Sequence, residues 1–229
     1  MNILITGVSS GLGKALKNEY LKLGHTVYGM SRRDVKDCNH INIDLSYVPN
    51  VNQHLPILLN DVTELDIVIL NAGMLGEIKT FDKWGYGELI EIMNVNVWSN
   101  KYILDWLFEY NIKVKQVISI SSGASEHTYK GWGGYSITKS ALRMMTEVYS
   151  KEIEDTHFIS LAPGLVDTSM QDYLCSEVDV KEFPVIEKFI QAKKDRLTEQ
   201  PNIIAKKIIE LVPSLKNYTN GSFLDLRNM

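Results

Sequence analysis

The sequence predicts an α/β fold, a doubly wound, seven-stranded parallel sheet with helices on both faces. Three observations carry this expectation. Short apolar runs recur without polar alternation, as in strands that are buried on both faces. Between them lie stretches whose apolar residues fall at helical spacing. No internal repeat, low-complexity stretch or linker divides the 229 residues, so one domain over 1–229 is expected.

Taken in order, residues 2–6 (NILIT) form the first strand, which Gly7 ends. Leu12, Ala15, Leu16, Tyr20 and Leu23 then mark one helix face, and Gly24 is a natural C-terminal stop. TVYGM (26–30) reads as the second strand, HINI (40–43) as the third and LDIVIL (65–70) as the fourth. Helical patterns run through 86–94 and 97–110. QVISIS (116–121) is the fifth strand, 135–152 a helix with few breakers, and HFISL (157–161) the sixth strand. Pro201 opens a helix over 201–212, where its missing N–H is harmless in the first turn. SFLDL (222–226) is the seventh strand. The least patterned piece, 167–200, is rich in charge and reads either as a lid over a site or as a plain surface excursion.

Composition narrows the partners. A net charge of −4 gives no electrostatic reason to expect nucleic acid or an anionic membrane. Cys38 and Cys175 stand in no C-x-x-C or metal-ligand spacing, which suggests a reducing compartment without a disulfide. His25, His40, His54, His127 and His157 likewise fall in no ligand spacing, so no metal site is expected. No apolar run approaches a membrane span, and MNILITG enters a strand at once, leaving no room for a leader. A cytoplasmic protein is expected.

The first chemical signal is TGVSSGLG, between the first strand and first helix, with glycines at 7, 11 and 13. Gly7 lets the chain turn sharply, while Gly11 and Gly13 leave room for a pyrophosphate or for the helix itself. Backbone N–H groups around Ser9, Ser10 and Leu12 and the helix dipole then face phosphates, as in a Rossmann-type dinucleotide site. The second strand ends in Ser31, Arg32 and Arg33, where an acid would bind a ribose 2′-OH. Two guanidiniums suit a 2′-phosphate instead, Arg32 being the favoured contact, which points to NADP(H) over NAD(H). The other reading is a solvated basic turn partly neutralised by Asp34.

The second signal, Tyr135 with Lys139, is weak by itself: 11 tyrosines and 19 lysines in this chain give about one Tyr-x-x-x-Lys by chance. Its context strengthens it. TGVSSGLG (6–13), Asp44 in IDL, NAG (71–73), Asn96 in NVNVWS, Ser122 in ISISSGAS, YSITK (135–139) and PGLVDT (163–168) occur in this order, with 13 residues from Ser122 to Tyr135. Together they resemble the classical short-chain dehydrogenase/reductase family over nearly the whole chain. YKGWGGYSITKSAL, APGLVDTSMQ and NGSFLDL are similar to sepiapterin reductases and the related bacterial benzil reductases. Two departures stand out: LNAG replaces the commoner double asparagine, and Ser10 stands where NADP-users often carry a basic residue.

The resemblance implies a division of labour. Ketone reduction needs a proton and hydrogen bonds at the oxygen that receives negative charge. Tyr135 would supply the proton, and Lys139, on the same helix face, would lower the phenol pKa and bind ribose hydroxyls. Ser122 would hold the substrate oxygen. Asn96 (or, by spacing alone, Asn94) would anchor through its backbone a water leading from Lys139 to solvent. Capping is the competing reading for both Ser122 and Asn96. Asp44, with Leu45 beside it, would accept from the adenine amino group. Asn71, Ala72 and Gly73 would line the adenine-ribose side, unless Asn71 only ties strands together. Pro163, Gly164, Val166 and Thr168 would hold the nicotinamide carboxamide and expose one ring face.

For substrate, Trp132 and Met170, with Tyr129, Tyr173 and Trp98, are candidates for an apolar wall, although aromatics also serve cores and interfaces. Asp225 aligns with the aspartate that anchors a pterin in sepiapterin reductases, or is structural. The implied activity is an NADPH-dependent carbonyl reductase acting on a ketone or α-dicarbonyl. The alternatives are an NAD(P)-dependent alcohol dehydrogenase of another substrate class and a non-catalytic NADP-binding regulatory protein. The resemblance also implies a homodimer or homotetramer through the helices at 97–110 and 135–152.

Overall fold

The structure is a computed structural model that describes all 229 residues. Its strands are β1 (Asn2–Thr6), β2 (Thr26–Ser31), β3 (Asn39–Asn42), β4 (Glu64–Leu70), β5 (Lys113–Ile120), β6 (His157–Ala162) and β7 (Phe223–Asp225). They form one sheet in the order β3-β2-β1-β4-β5-β6-β7, every pair parallel. The helices are α1 (Gly11–Lys22), α2 (Asn50–Leu58), α3 (Tyr86–Met93), α4 (Ser99–Glu109), α5 (Gly133–Glu152), α6 (Ser169–Ser176), α7 (Ile186–Lys194) and α8 (Pro201–Leu215).

Side chains alternate across a strand, and both faces of β1 are apolar, so both need cover. Ile3 and Ile5 belong to a core shared with Leu12, Leu16 and Tyr20 of α1 and Ile204, Ile208 and Leu215 of α8. Leu4 belongs to a second core with Val51 and Leu55 of α2, Ile103 and Leu107 of α4 and Tyr149 of α5. The chain winds outward from β1 to β3, then crosses back to β4 and continues to β7. Its direction of winding reverses between β1 and β4, and a crevice forms beyond their C-terminal ends.

All seven expected strands are present, with ends shifted by up to three residues. Three features differ from expectation. α2 arises in a stretch with no helix signal; it contains Pro56, and the fully buried Val51 and Leu55 hold it in place. Residues 86–109 form one path in which a π-helical turn, Asn94–Trp98, joins α3 to α4. Such turns often mark functional positions. The weakly patterned 167–200 holds two helices, α6 and α7.

The excursion that carries these two helices leaves and returns at one place. Asp167 N donates to Glu199 O and Glu199 N donates to Leu165 O, each at 2.9 Å. Leu174, Phe183 and Ile186 of the excursion pack with Leu75, Ile78, Trp132 and Tyr135 in a third, smaller core.

Candidate active site

The glycine loop divides its work among three positions. Gly7 has φ +79° and Gly11 has φ +53°, backbone conformations that side chains disfavour. A Cβ on Gly7 would lie 2.9 Å from Asn71 Nδ2, and one on Gly13 would strike the Gly7 carbonyl. Gly13 therefore serves the close seating of α1, while Gly11 lies against Thr168, 3.4 Å from where its Cβ would be. The first N–H groups of α1, around Leu12, have no partner within the helix and carry its positive dipole end. Ser10 stands at the N-cap without a side-chain cap bond.

Asn71 and Ala72 follow β4. Asn71 Nδ2 donates to Thr6 O at 2.9 Å, and the Asn71 and Ala72 N–H groups both donate to Thr6 Oγ1. The amide of Asn71 thus ties β4 to β1 at the crevice. Thr6 is a supporting residue that the sequence reading missed, although its hydroxyl beside Gly7 was in plain view. Asp44 accepts from Ser46 N at 2.9 Å, and this bond, helped by Arg32, lowers its pKa; Leu45 beside it is buried.

At the end of β2 the Ser31 hydroxyl donates to Arg33 O at 2.9 Å. A hydroxyl has one proton, so its 2.8 Å contact with His40 Nε2 has the imidazole as donor. The other ring nitrogen of His40 lies 3.7 Å from Asp34 Oδ1. Asp34 thus faces His40 and makes no salt bridge to the arginines. Arg32 and Arg33 are both exposed. Arg33 shares a groove of about 550 Å³ with Ser10, Lys14 and Thr168. This set fits a dinucleotide that carries an additional phosphate: unpaired cations stand beside a helix N-terminus.

The residues expected to do chemistry converge beyond the ends of β4 and β5. Tyr135 and Lys139 are one turn apart on α5 and both are buried. Lys139 Nζ donates to Ile120 O at 2.8 Å and lies 5.7 Å from the centre of the Tyr135 ring. Gly73 makes room for it, since a Cβ there would sit 3.4 Å from both Lys139 Nζ and Asn96 Oδ1. Ser122 Oγ accepts from Ala124 N at 3.1 Å. That cap uses a lone pair and leaves the hydroxyl proton free to donate.

Asn96 sits in the π-helical turn with no exposure. Its Oδ1 accepts from Met74 N at 2.8 Å, and Nδ2 donates to Met74 O and Thr138 Oγ1, each at 2.9 Å. Thr138 in turn donates to Tyr135 O. The side chain of Asn96 therefore joins the β4 loop to α5, and Thr138 is a second missed support. Asn94, its alternative by spacing, donates to Ser46 O instead.

The electrostatics differ from the expected direction. Burial pushes Tyr135 up to about 12, with Ser122 pulling weakly the other way. Burial also pushes Lys139 down to about 8. Desolvation is the main cause of the phenol's shift, and the Lys139 ammonium is anchored on the Ile120 carbonyl.

Trp132 meets Tyr135 edge-on at 5.9 Å and stacks on Phe189 of α7 at 5.2 Å. Met170 and Tyr173 pack in the same core, and Tyr129 meets Trp132 edge-on. Trp98 does not join this wall: the π turn leaves it 41% exposed. Pro163, Gly164 and Val166 follow β6, with Gly164 at φ +81°. The Asp225 carboxylate is not free. Arg227 Nε and Nη2 hold its two oxygens at 2.9 and 2.5 Å and keep its pKa low. Of the two readings left open for Asp225, this pairing supports the structural one: both acceptor atoms already face a guanidinium. Arg227 was missed, though Asp-x-Arg at the end of the last strand was its signal.

Comparison with known proteins agrees with this architecture. The family described as short chain dehydrogenase matches residues 1–179. A benzil reductase ((S)-benzoin forming) from Bacillus subtilis is 32% identical over 98% of this chain and 97% of its own. The Bacillus cereus enzyme of that description is 29% identical over 92% of this chain and 93% of its own. An NADPH-dependent pterin aldehyde reductase from Arabidopsis thaliana is 26% identical over 73% of this chain and 76% of its own. Among solved structures, a short-chain dehydrogenase/reductase from Saccharomyces cerevisiae superposes with TM-score 0.86 at 21% identity, covering 98% and 95% of the two chains. The chain belongs to the short-chain dehydrogenase/reductase family and is an oxidoreductase of that family.

Proposed function

We propose that this protein is an NADPH-dependent carbonyl reductase for α-dicarbonyl substrates, with Tyr135 as proton donor. The observation that carries the reading is the cluster of half-buried Ser122 with buried Tyr135 and Lys139, beside the aromatic wall of Trp132 at the strand ends. The similar benzil reductases support the substrate class. The engagement of Asp225 by Arg227 favours a dicarbonyl over a pterin.

The cofactor would be held by the α1 N-terminus and the Gly7, Ser9, Ser10, Gly11, Leu12 and Gly13 loop, with Asp44 and Leu45 at its adenine and Arg32 and Arg33 at its 2′-phosphate. Asn71, Ala72 and Gly73 would line its middle, and Pro163, Gly164, Val166 and Thr168 its carboxamide. When bound, it supplies hydride to the carbonyl carbon. The protein's own groups act on the oxygen. Ser122 Oγ–H donates to it and keeps it beside Tyr135 Oη–H, which transfers its proton as negative charge builds. A phenol held at about 12 stays protonated across the physiological range, the state a reduction needs. The Lys139 ammonium stabilises the phenolate that remains, and Asn96 keeps the β4 loop and α5 in register around it. The 168–198 excursion acts as a lid that excludes water. Exposed Trp98, Tyr102, Ile137, Met144 and Val148 support oligomerisation through α4 and α5.

The test is NADPH oxidation with benzil by wild type and Tyr135→Phe, alongside NADPH binding followed by fluorescence. Loss of at least about 10³-fold in kcat with unchanged binding is expected. Turnover that survives the substitution would remove Tyr135 as donor. Binding without turnover in the wild type would favour a regulatory protein, and faster NAD⁺-linked alcohol oxidation would favour a dehydrogenase.

A further inference from the structure

The last four residues of the chain carry a guanidinium back to the catalytic strand ends. Arg227 follows β7 in a short 3₁₀ turn that Asp225 caps by accepting from Arg227 N at 3.0 Å. Its side chain folds over two glycines of the site. Arg227 Cγ lies 3.1 Å from where a Cβ on Gly164 would be, and Nη2 lies 3.6 Å from where one on Gly123 would be. Gly123 is the residue after Ser122, and Gly164 is the turn after β6. Any side chain at Gly164 would displace the arginine.

The pairing leaves donors to spare. A guanidinium carries five N–H groups in a fixed fork. Nε–H and one Nη2–H go to Asp225, which leaves three; the Arg227 side chain makes no other hydrogen bond or salt bridge. Asp225 is almost covered, with a side-chain exposure of 10%, whereas that of Arg227 is 59% exposed. The carboxylate therefore acts as a mount, and the guanidinium stays exposed beside Gly123, the residue after Ser122.

We propose that Arg227, oriented by Asp225, is a specificity-determining residue that binds the second carbonyl oxygen of a vicinal dicarbonyl, while Ser122 and Tyr135 take the first. This rests on the carbonyl-reductase reading above and adds the reason such a site would prefer two adjacent oxygens. A carbonyl oxygen accepts two hydrogen bonds, and a charge-assisted donor is the strongest the neutral group can be offered. The same cation disfavours a substrate edge built of donors, as in a protonated or guanidine-like ring.

Benzil and deoxybenzoin, which has a methylene in place of one carbonyl, make the comparison. The variant Arg227→Met keeps the stem over Gly164 and removes the donors. It should lower the benzil-to-deoxybenzoin ratio of kcat/KM about tenfold, mainly through the benzil KM. Calorimetric binding of benzil to the protein with NADP⁺ should weaken about as much, and NADP⁺ affinity should hold. Arg227→Lys should recover part of the ratio. Asp225→Asn, which is nearly isosteric, should reduce it about threefold by loosening the mount. Thermal unfolding of each variant tracks folding. An unchanged ratio, or equal losses for both ketones, overturns the proposal while leaving carbonyl reduction standing. A wild type that neither binds nor reduces either ketone overturns both.

Discussion

Ile159 in β6 and Ile186 in α7 are both wholly buried, yet they lie in regions built differently. Ile159 pairs with Ile118 of β5 and belongs to a core of nineteen buried residues. Ile186 belongs to one of nine, and its segment adds no strand to the sheet, its two ends being clipped together by the pairing of Leu165–Asp167 with Glu199. The sheet region carries Ser122, Tyr135 and Lys139, and the excursion carries much of the wall opposite them. Under the proposed function, this contrast predicts that the sheet region opens only with global unfolding and that the excursion opens alone to admit substrate.

Paired substitutions at these two positions would break the comparison if it is wrong. Ile159→Ala should cost about 2–5 kcal/mol of global stability, a fall in Tm of several degrees. Ile186→Ala removes the same atoms, but the loss should appear as faster local opening. Its Tm should fall much less, while the KM for benzil rises and hydrogen exchange in 168–198 quickens. Equal shifts in Tm, with no change in exchange at 168–198, would show that the excursion is part of one cooperative unit.

The same contrast explains what could be read from the chain. β1 and β4 are runs dominated by Ile, Leu and Val, and the buried parts of β5 and β6 are largely apolar, which suits a strand covered on both sides, so they announced themselves. The glycine loop was legible because positive φ and close approach leave few alternatives at Gly7 and Gly13. α2 was not, because Asn50, Asn52 and Pro56 are poor helix formers and the helix depends on Val51 and Leu55 meeting α4. α6 and α7 were hidden for a related reason. Their apolar residues face a small core of their own, so charge dominates the sequence of that stretch. The pairing of Tyr135 with Lys139 followed from helix geometry, but the direction of the phenol's shift did not. Burial is a property of the fold, and here it raises the phenol's pKa.

That shift gives the second prediction, which concerns the sheet region alone. Tyr135, up at about 12, remains a proton donor well into alkaline solution. Lys139, down at about 8, loses its charge as pH rises through that value. In reduction the lost ammonium, not a lost phenol proton, should therefore set the alkaline limb. The value of kcat/KM for NADPH should be level below pH 8 and fall about tenfold per unit above it. A plateau that extends past pH 10 would mean that Lys139 is less desolvated than its exposure implies.

The smallest effect expected belongs to the strap on the excursion. Lys193 of α7 bonds Asp172 of α6 and lies 3.5 Å from Asp167, at the point where the segment leaves the sheet. Gln200 Nε2 holds the other oxygen of Asp167 at 2.7 Å, so both ends of the segment meet at one carboxylate. These groups are partly exposed, and surface pairs of this kind contribute little and are screened by salt. Lys193→Ala should therefore raise the KM for benzil only about two- to threefold, leave Tm and NADPH binding unchanged, and abolish most of the salt dependence of that KM. If the strap holds the excursion closed, wild type in high salt should approach the variant. A KM that responds to salt equally in both proteins would shift the closing force to the apolar contacts of Leu174, Phe183 and Ile186, which salt strengthens rather than weakens.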